Sequence, residues 1–215
     1  MRTGLIRLLM SFLCVGVLAS CGSSPKVSYY TLGTALIENN PAVPTGTGYT
    51  VAVGPVSLPE VVDRPELVTR VGANEVDLDG ERRWAEPLGS AIPRLIAQHL
   101  THSLGAQPLL AYPYSAIDTA DYRVIVDIQR FDSEIRSGAT IDAIWTIRRM
   151  SQKDVETKIG RSHIQESTVG DGYEALVAAH SRALATLSSD IAEAIRAAAA
   201  MPKYHTLDRP RGQGR

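Results

Sequence analysis

From about Gly172 to Ala199 the chain carries Tyr173, Leu176, Val177, His180, Leu184, Leu187, Ile191 and Ile195 on one stripe of helical period. That is about seven turns of amphipathic helix, and a stripe so long has to be covered by another layer. Its polar face is poor in basic residues, which argues for a sheet rather than a membrane surface as the covering layer. The alanine-rich end, Ala197 to Ala200, has high helix propensity but little to bury, so fraying is predicted there. Leu88, Ile92, Leu95, Ile96, Leu100 and Leu104 predict a second helix, with Gln98, Thr101 and His102 off its apolar face and Gly105 as its stop.

The partner layer is legible as strands. Thr50 to Val56 is an apolar run containing Pro55, which would lack a ladder donor in a central strand. Tyr122, Val124, Val126 and Ile128 alternate with polar neighbours, and the phase then slips to Phe131, which places a bulge near Arg130. Ile141, Ala143, Trp145 and Ile147 alternate likewise, and Arg136-Ser137-Gly138 joins the two segments as a hairpin. A weaker strand within Val155 to Ser167 continues the meander. Leu67 to Val71 and Glu75 to Leu78 predict a further small hairpin around Gly72 to Asn74. The expected fold is a single α/β domain of the α+β type, a mostly antiparallel or mixed sheet with both helices on one face and the other face partly free.

The first twenty residues stand outside this fold. Arg2 and Arg7 give a positive start, Leu8 to Leu18 is almost wholly apolar, and Ala19 and Ser20 are small. This is the pattern of a secretory signal peptide. Its apolar run is about 11 residues, roughly 16 Å as a helix, too short for a hydrocarbon core of roughly 30 Å. Leu18-Ala19-Ser20-Cys21 resembles the lipobox of bacterial lipoproteins, which implies lipidation of the Cys21 thiol and cleavage just before it. Cys14 leaves with the leader and Cys21 is consumed, so the mature chain has no thiol for a disulfide and must be stabilised by its core. Removing Arg2 and Arg7 from 22 basic side chains leaves 20 against 23 acidic ones, a net charge of −3, which disfavours nucleic acid as a partner.

The residue after the cysteine is Gly22, not the Asp that tends to retain lipoproteins in the inner membrane, so the outer membrane is expected. From Cys21 to the first probable strand at Tyr29 there are about eight residues, at most roughly 28 Å when extended. The organisation expected is a removed leader over 1–20, a lipidated tether over 21–28, one domain over 29–200 and a free basic tail over 201–215. Gly33 to Gly48, with Pro41, Pro44 and the Asn39-Asn40 pair, reads as a long surface connection.

Four pieces in the same order carry a family resemblance: Ser28-Tyr29-Tyr30-Thr31-Leu32, Val53-Gly54-Pro55-Val56-Ser57-Leu58-Pro59, Asp63-Arg64-Pro65-Glu66-Leu67-Val68-Thr69-Arg70, and Arg83-Trp84-Ala85-Glu86-Pro87-Leu88. With the lipobox in front and the long helix behind, they resemble the ABC-type transport auxiliary lipoproteins, the paraquat-inducible protein C family. The basic tail after Pro202 is not part of that pattern. The resemblance implies an outer-membrane lipoprotein, facing the periplasm, that accompanies an ABC transport system built with mammalian-cell-entry (MCE) domain proteins and moving phospholipids or other apolar molecules between the two membranes. A lipid needs such a path because each CH₂ exposed to water costs about 0.8 kcal/mol.

Two readings of the central residues stand side by side. In one, Arg64 forks onto Glu86 or stacks on Trp84, while Pro87 and Glu86 suit the first turn of the first helix. In the other, Arg64, Arg70, Arg83, Trp84 and Glu86 belong to a surface that meets a partner, since Arg and Trp are frequent interface anchors and the segment from Pro59 to Trp84 lies between the regular elements. Copies of the lipoprotein would then gather on an oligomeric MCE partner, making a homo-oligomer a further expectation.

Catalytic signatures are not found: no phosphate-binding loop, His-Glu-x-x-His, nucleophile elbow or zinc-spaced Cys/His cluster. His99 and His102 share a helix face but lack a third ligand, and read as core or solvated histidines. No enzyme activity is expected, and no cofactor beyond the covalent lipid on Cys21. The function classes left open are a docking component of a lipid-transport machine, a module that binds lipid cargo itself, and a periplasmic hydrolase.

Overall fold

The structure is a computed structural model and describes residues 26–33, 49–105, 110–111, 120–150 and 155–200. The leader, Cys21, most of the Gly33 to Gly48 connection and the tail lie outside the described residues. The elements run β1 (Ser28–Tyr30), β2 (Val51–Ser57), β3 (Glu66–Arg70), β4 (Val76–Trp84), α1 (Leu88–Leu104), β5 (Leu110–Ala111), β6 (Tyr122–Glu134), β7 (Gly138–Met150), β8 (Val155–Glu166) and α2 (Gly172–Ala200).

The strands form two mixed sheets, ordered β1-β4-β3 and β5-β2-β6-β7-β8. In the larger one β6, β7 and β8 are the antiparallel meander read from the sequence. The register slips between Ile128 and Arg130, where the phase of the apolar residues places a bulge. Buried side chains fall on alternate positions of β6 and β7, so one face is covered. Both helices lie on that face, α1 against β2 and β5, α2 against β6, β7 and β8, and they pack on each other. Gly105 ends α1 in the left-handed region at φ 57°, a conformation only glycine adopts at little cost. Leu95, Ile96, Leu100, Leu176, Leu184, Leu187, Ile191 and Ile195 are fully buried between the layers. Each such side chain contributes roughly 1.5–3 kcal/mol of transfer free energy. At the alanine-rich end of α2, Ala198 is buried as well, so this turn covers more than the sequence implied.

Three features depart from the sequence reading, each through a pairing between segments far apart in the chain. The sheet is two sheets: β2 accompanies β6 only to Asp127, and β3 packs beside the rest of β6 without joining its ladder. The small hairpin is longer than expected because β1 pairs in parallel with Arg82, Arg83 and Trp84, drawing them into β4. Arg83 and Trp84 are therefore strand residues, not members of a connecting loop. Finally, β2 continues past Pro55 although it is flanked by β5 and β6, because its register with β6 shifts between Val53 and Val56 and no ladder donor is needed there.

Candidate docking surface

The small sheet has two ends. One is the tip of the β3–β4 hairpin, residues 71–75. At the other, residues 58–65 lead into β3 and lie beside the start of α1. There Val62 N and Asp63 N both donate to Pro59 O, at 3.0 and 3.1 Å, and Arg64 N donates to Val62 O at 2.9 Å. Asp63 Oδ1 stands 4.0 Å from where a Cβ on Gly89 would be, which puts this turn over the first turn of α1. The N-cap of α1 is Pro87, with no side-chain cap.

The five residues singled out in the sequence separate here. Arg70 donates through Nε and Nη2 to the two carboxylate oxygens of Asp132 on β6, at 3.0 and 3.1 Å, and through Nη1 to Ala73 O. Arg130 Nε reaches the same carboxylate at 2.6 Å. Burial alone would raise the Asp132 carboxyl, but the two guanidiniums outweigh it and hold it below the usual carboxylate range. Arg70 thus fastens the small sheet to the large one. Arg83 donates to Gly80 O at 3.0 Å and lies 3.5 Å from Glu66, its cross-strand neighbour. Glu86 pairs with Arg94 of α1, so the expected fork between Arg64 and Glu86 is not formed.

Trp84 is 6% exposed and belongs to the core. Its indole meets Phe131 and His180 edge-on, at centroid distances of 6.5 and 6.3 Å. A ring so placed packs; it is not available as an exposed anchor, nor does it face Arg64 for stacking. Arg64 remains. Its Nε is buried and has no hydrogen-bond partner among the described residues. Among the described residues no carboxylate engages this cation at the end of the small sheet, as carboxylates engage Arg70, Arg83 and Arg94.

Several buried polar groups had no signal in the sequence, because each depends on register between distant segments. His180 of α2 is fully buried, stacks on Phe131 at 4.1 Å, and its Nε2 lies 2.7 Å from Ser133 Oγ. Burial pushes its pKa down to about 3, so the ring is neutral. Trp145 Nε1 donates to Ser162 Oγ at 3.1 Å, and that hydroxyl donates to Asp190 of α2 at 2.6 Å, tying β7, β8 and α2 together. On the outer face His163 pairs with Asp142. His99 is buried and its pKa is lowered, by burial first and by His102 second. Among the described residues no group of three or more His, Cys, Asp or Glu could hold a metal ion, and no helix is long and apolar enough to cross a membrane.

The N-terminal segment is fixed onto this scaffold. Tyr30 O accepts from Ala85 N at 2.8 Å, the Tyr30 ring lies 6.0 Å from Tyr173, and Arg82 sits over the same Tyr173 ring at 5.3 Å. Gly33 N donates to Ser181 Oγ at 3.0 Å, and Leu32 is buried.

The molecule is thus a single α+β domain whose small sheet receives the N-terminal segment and, at the end away from the hairpin tip, carries Arg64, whose Nε has no hydrogen-bond partner among the described residues. A family model for the ABC-type transport auxiliary lipoprotein component matches residues 30–192, and the chain belongs to that family. A solved structure of an uncharacterized protein is similar, with a TM-score of 0.60 at 18% identity, covering 79% of this chain and 99% of that one. At that identity the likeness concerns the fold alone. A protein from Xanthomonas campestris is similar with a TM-score of 0.49 at 18% identity, over 78% of this chain and 90% of that one. No curated protein sequence matches the chain.

Proposed function

We propose that this lipoprotein is anchored in the outer membrane through lipid on Cys21 and docks, in the periplasm, onto the MCE-domain protein of an ABC system that moves phospholipid between the membranes. Membership of the auxiliary family supplies the class of role. The lipobox and Gly22 support the address. The observation that carries the docking is Arg64: a half-exposed arginine on the turn before β3, engaged by no carboxylate among the described residues, is free to take one from another protein. Arg83 and Glu86 brace that end of the domain while engaged internally, and Arg70 fastens the opposite end of the small sheet to the large one. The domain works as a ligand for protein and not as an enzyme, and needs no cofactor beyond its lipid. Several copies would gather on an oligomeric partner.

Affinity purification of the chain from detergent-solubilised membranes tests this. Co-recovery of an MCE protein and an ABC ATPase is expected, and loss of both from an Arg64→Ala bait that remains folded and lipidated. Recovery of neither by the parent chain would refute the role. In parallel, Cys21→Ala should lose its acyl mass and its membrane association; a variant that still sediments with outer membrane in high salt would refute the anchor.

A further inference from the structure

The β3–β4 hairpin carries exposed apolar side chains at and beside its tip. Val71, Val76 and Leu78 are 59%, 37% and 45% exposed. Val76 and Leu78 lie opposite Arg70 and Val68 in the register, all on one side of the small sheet. Valine and leucine on an exposed turn and its first strand positions need a reason, and an apolar partner is the usual one.

Strand direction names the partner. β1 runs parallel to β4, with Ser28 beside Arg82, Tyr29 beside Arg83 and Tyr30 beside Trp84. Going back from Ser28 along the same direction leads past Gly80 and Leu78 toward the tip. From Tyr29 back to Cys21 is about eight residues, at most roughly 28 Å. From Arg83 to Val76 along β4 is about seven residues, roughly 23 Å. A chain laid along β4 therefore reaches the level of the tip with only about 5 Å to spare. A tether of this length lets Cys21 and the tip meet the same surface.

We propose that the β3–β4 hairpin tip rests in the surface of the same bilayer that anchors Cys21, with Val71, Val76 and Leu78 as the residues that enter it. The proposal rests on the lipid-anchor reading above. Contact is through apolar area, not charge: Arg70 is engaged by Asp132 and Ala73, and Glu75 and Asp77 make this end acidic. Zwitterionic lipid therefore suffices, and salt does not reverse the contact. The geometry has a consequence for docking. β4 spans roughly 30 Å, so a domain standing on its hairpin tip holds Arg64 at the far end, turned toward the periplasm.

The test uses the full lipidated protein in vesicles of phosphatidylethanolamine and phosphatidylcholine. Because Cys21 is a thioether once lipidated, a single introduced cysteine is the only site for a thiol-reactive, polarity-sensitive dye. Leu78→Cys probes the tip and Val61→Cys, at a side chain 49% exposed near Arg64, probes the far end; circular dichroism checks that both variants keep their fold. The expected result is blue-shifted emission at position 78, quenched by spin-labelled lipid and insensitive to salt, with position 61 as in water. If the protein floats with the vesicles while both positions report water, or while both report lipid, the upright orientation is wrong. If Cys21 carries no acyl mass and the protein does not float, the anchor fails and this proposal falls with it.

Discussion

The imidazole of His180 lies flat on the ring of Phe131, with centroids 4.1 Å apart and planes 15° apart, and its Nε2 meets Ser133 Oγ at 2.7 Å. The pair joins the long helix to the second half of β6, where β2 has already ended, and Trp84 closes it from the small sheet. One neutral histidine therefore sits where three elements meet.

A pH dependence follows. The folded pKa of about 3 lies below the ordinary value of 6.5, because burial opposes the charged ring. The unfolded chain then binds more protons as pH falls below 6.5, so the histidine's contribution is intact above that pH and is lost progressively toward pH 3. The slope is at most about 1.4 kcal/mol per pH unit. Urea unfolding between pH 7 and pH 4 should show stability declining in the parent and declining less in His180→Phe. Equal slopes in the two proteins would show that His180 does not titrate as described.

Asp132 makes the second prediction. Two arginines from different strands converge on it, and only 15% of its side chain is exposed. Asp132→Ala leaves both guanidiniums without their acceptor and should cost about 2 kcal/mol. Its lowered pKa means the stabilisation is present above the ordinary carboxylate value and lost as pH falls through the lowered one. Arg130→Ala should cost less, since that side chain is 41% exposed. Urea midpoints at pH 7 in the reverse order would place the join between the sheets elsewhere.

Gly160 sits opposite Trp145 across the β7–β8 ladder, and a Cβ there would stand 2.1 Å from the indole. Gly160→Ala should push the indole aside, break the Trp145–Ser162–Asp190 chain and cost about 1–3 kcal/mol. Near-ultraviolet circular dichroism reads the change in the tryptophan environment; an unchanged spectrum with unchanged stability would contradict the contact.

Trp84 and Arg64 should part company. Trp84→Ala empties a buried site beside Phe131 and His180 and is expected to cost about 3–5 kcal/mol. Arg64→Ala removes no hydrogen bond of the buried Nε and should change stability by less than about 1 kcal/mol, yet weaken partner binding roughly thirtyfold. Melting temperature and partner affinity measured on both variants separate the two roles. A strongly destabilised Arg64→Ala whose folded fraction binds normally would make Arg64 a brace.

The elements were written locally in the chain. Apolar residues at alternate positions from Tyr122 to Ile128 and from Ile141 to Ile147, the slip at Arg130, the helical stripes and the stop at Gly105 are all recorded within a few residues of where they act, because backbone geometry dictates which neighbouring side chains share a face. Tertiary structure alone decided what meets what. Arg70 finds Asp132 62 residues away, His180 finds Ser133 47 residues away, and β1 extends β4 far enough to bury Trp84. None of these has a local signal, since the spacing of partners along the chain is arbitrary once the strands between them can pair in more than one order. Arg64 was legible as a candidate, but not which of its two readings holds. That Glu86 is taken by Arg94, leaving the Arg64 Nε without a partner among the described residues, is visible only in the folded arrangement of both.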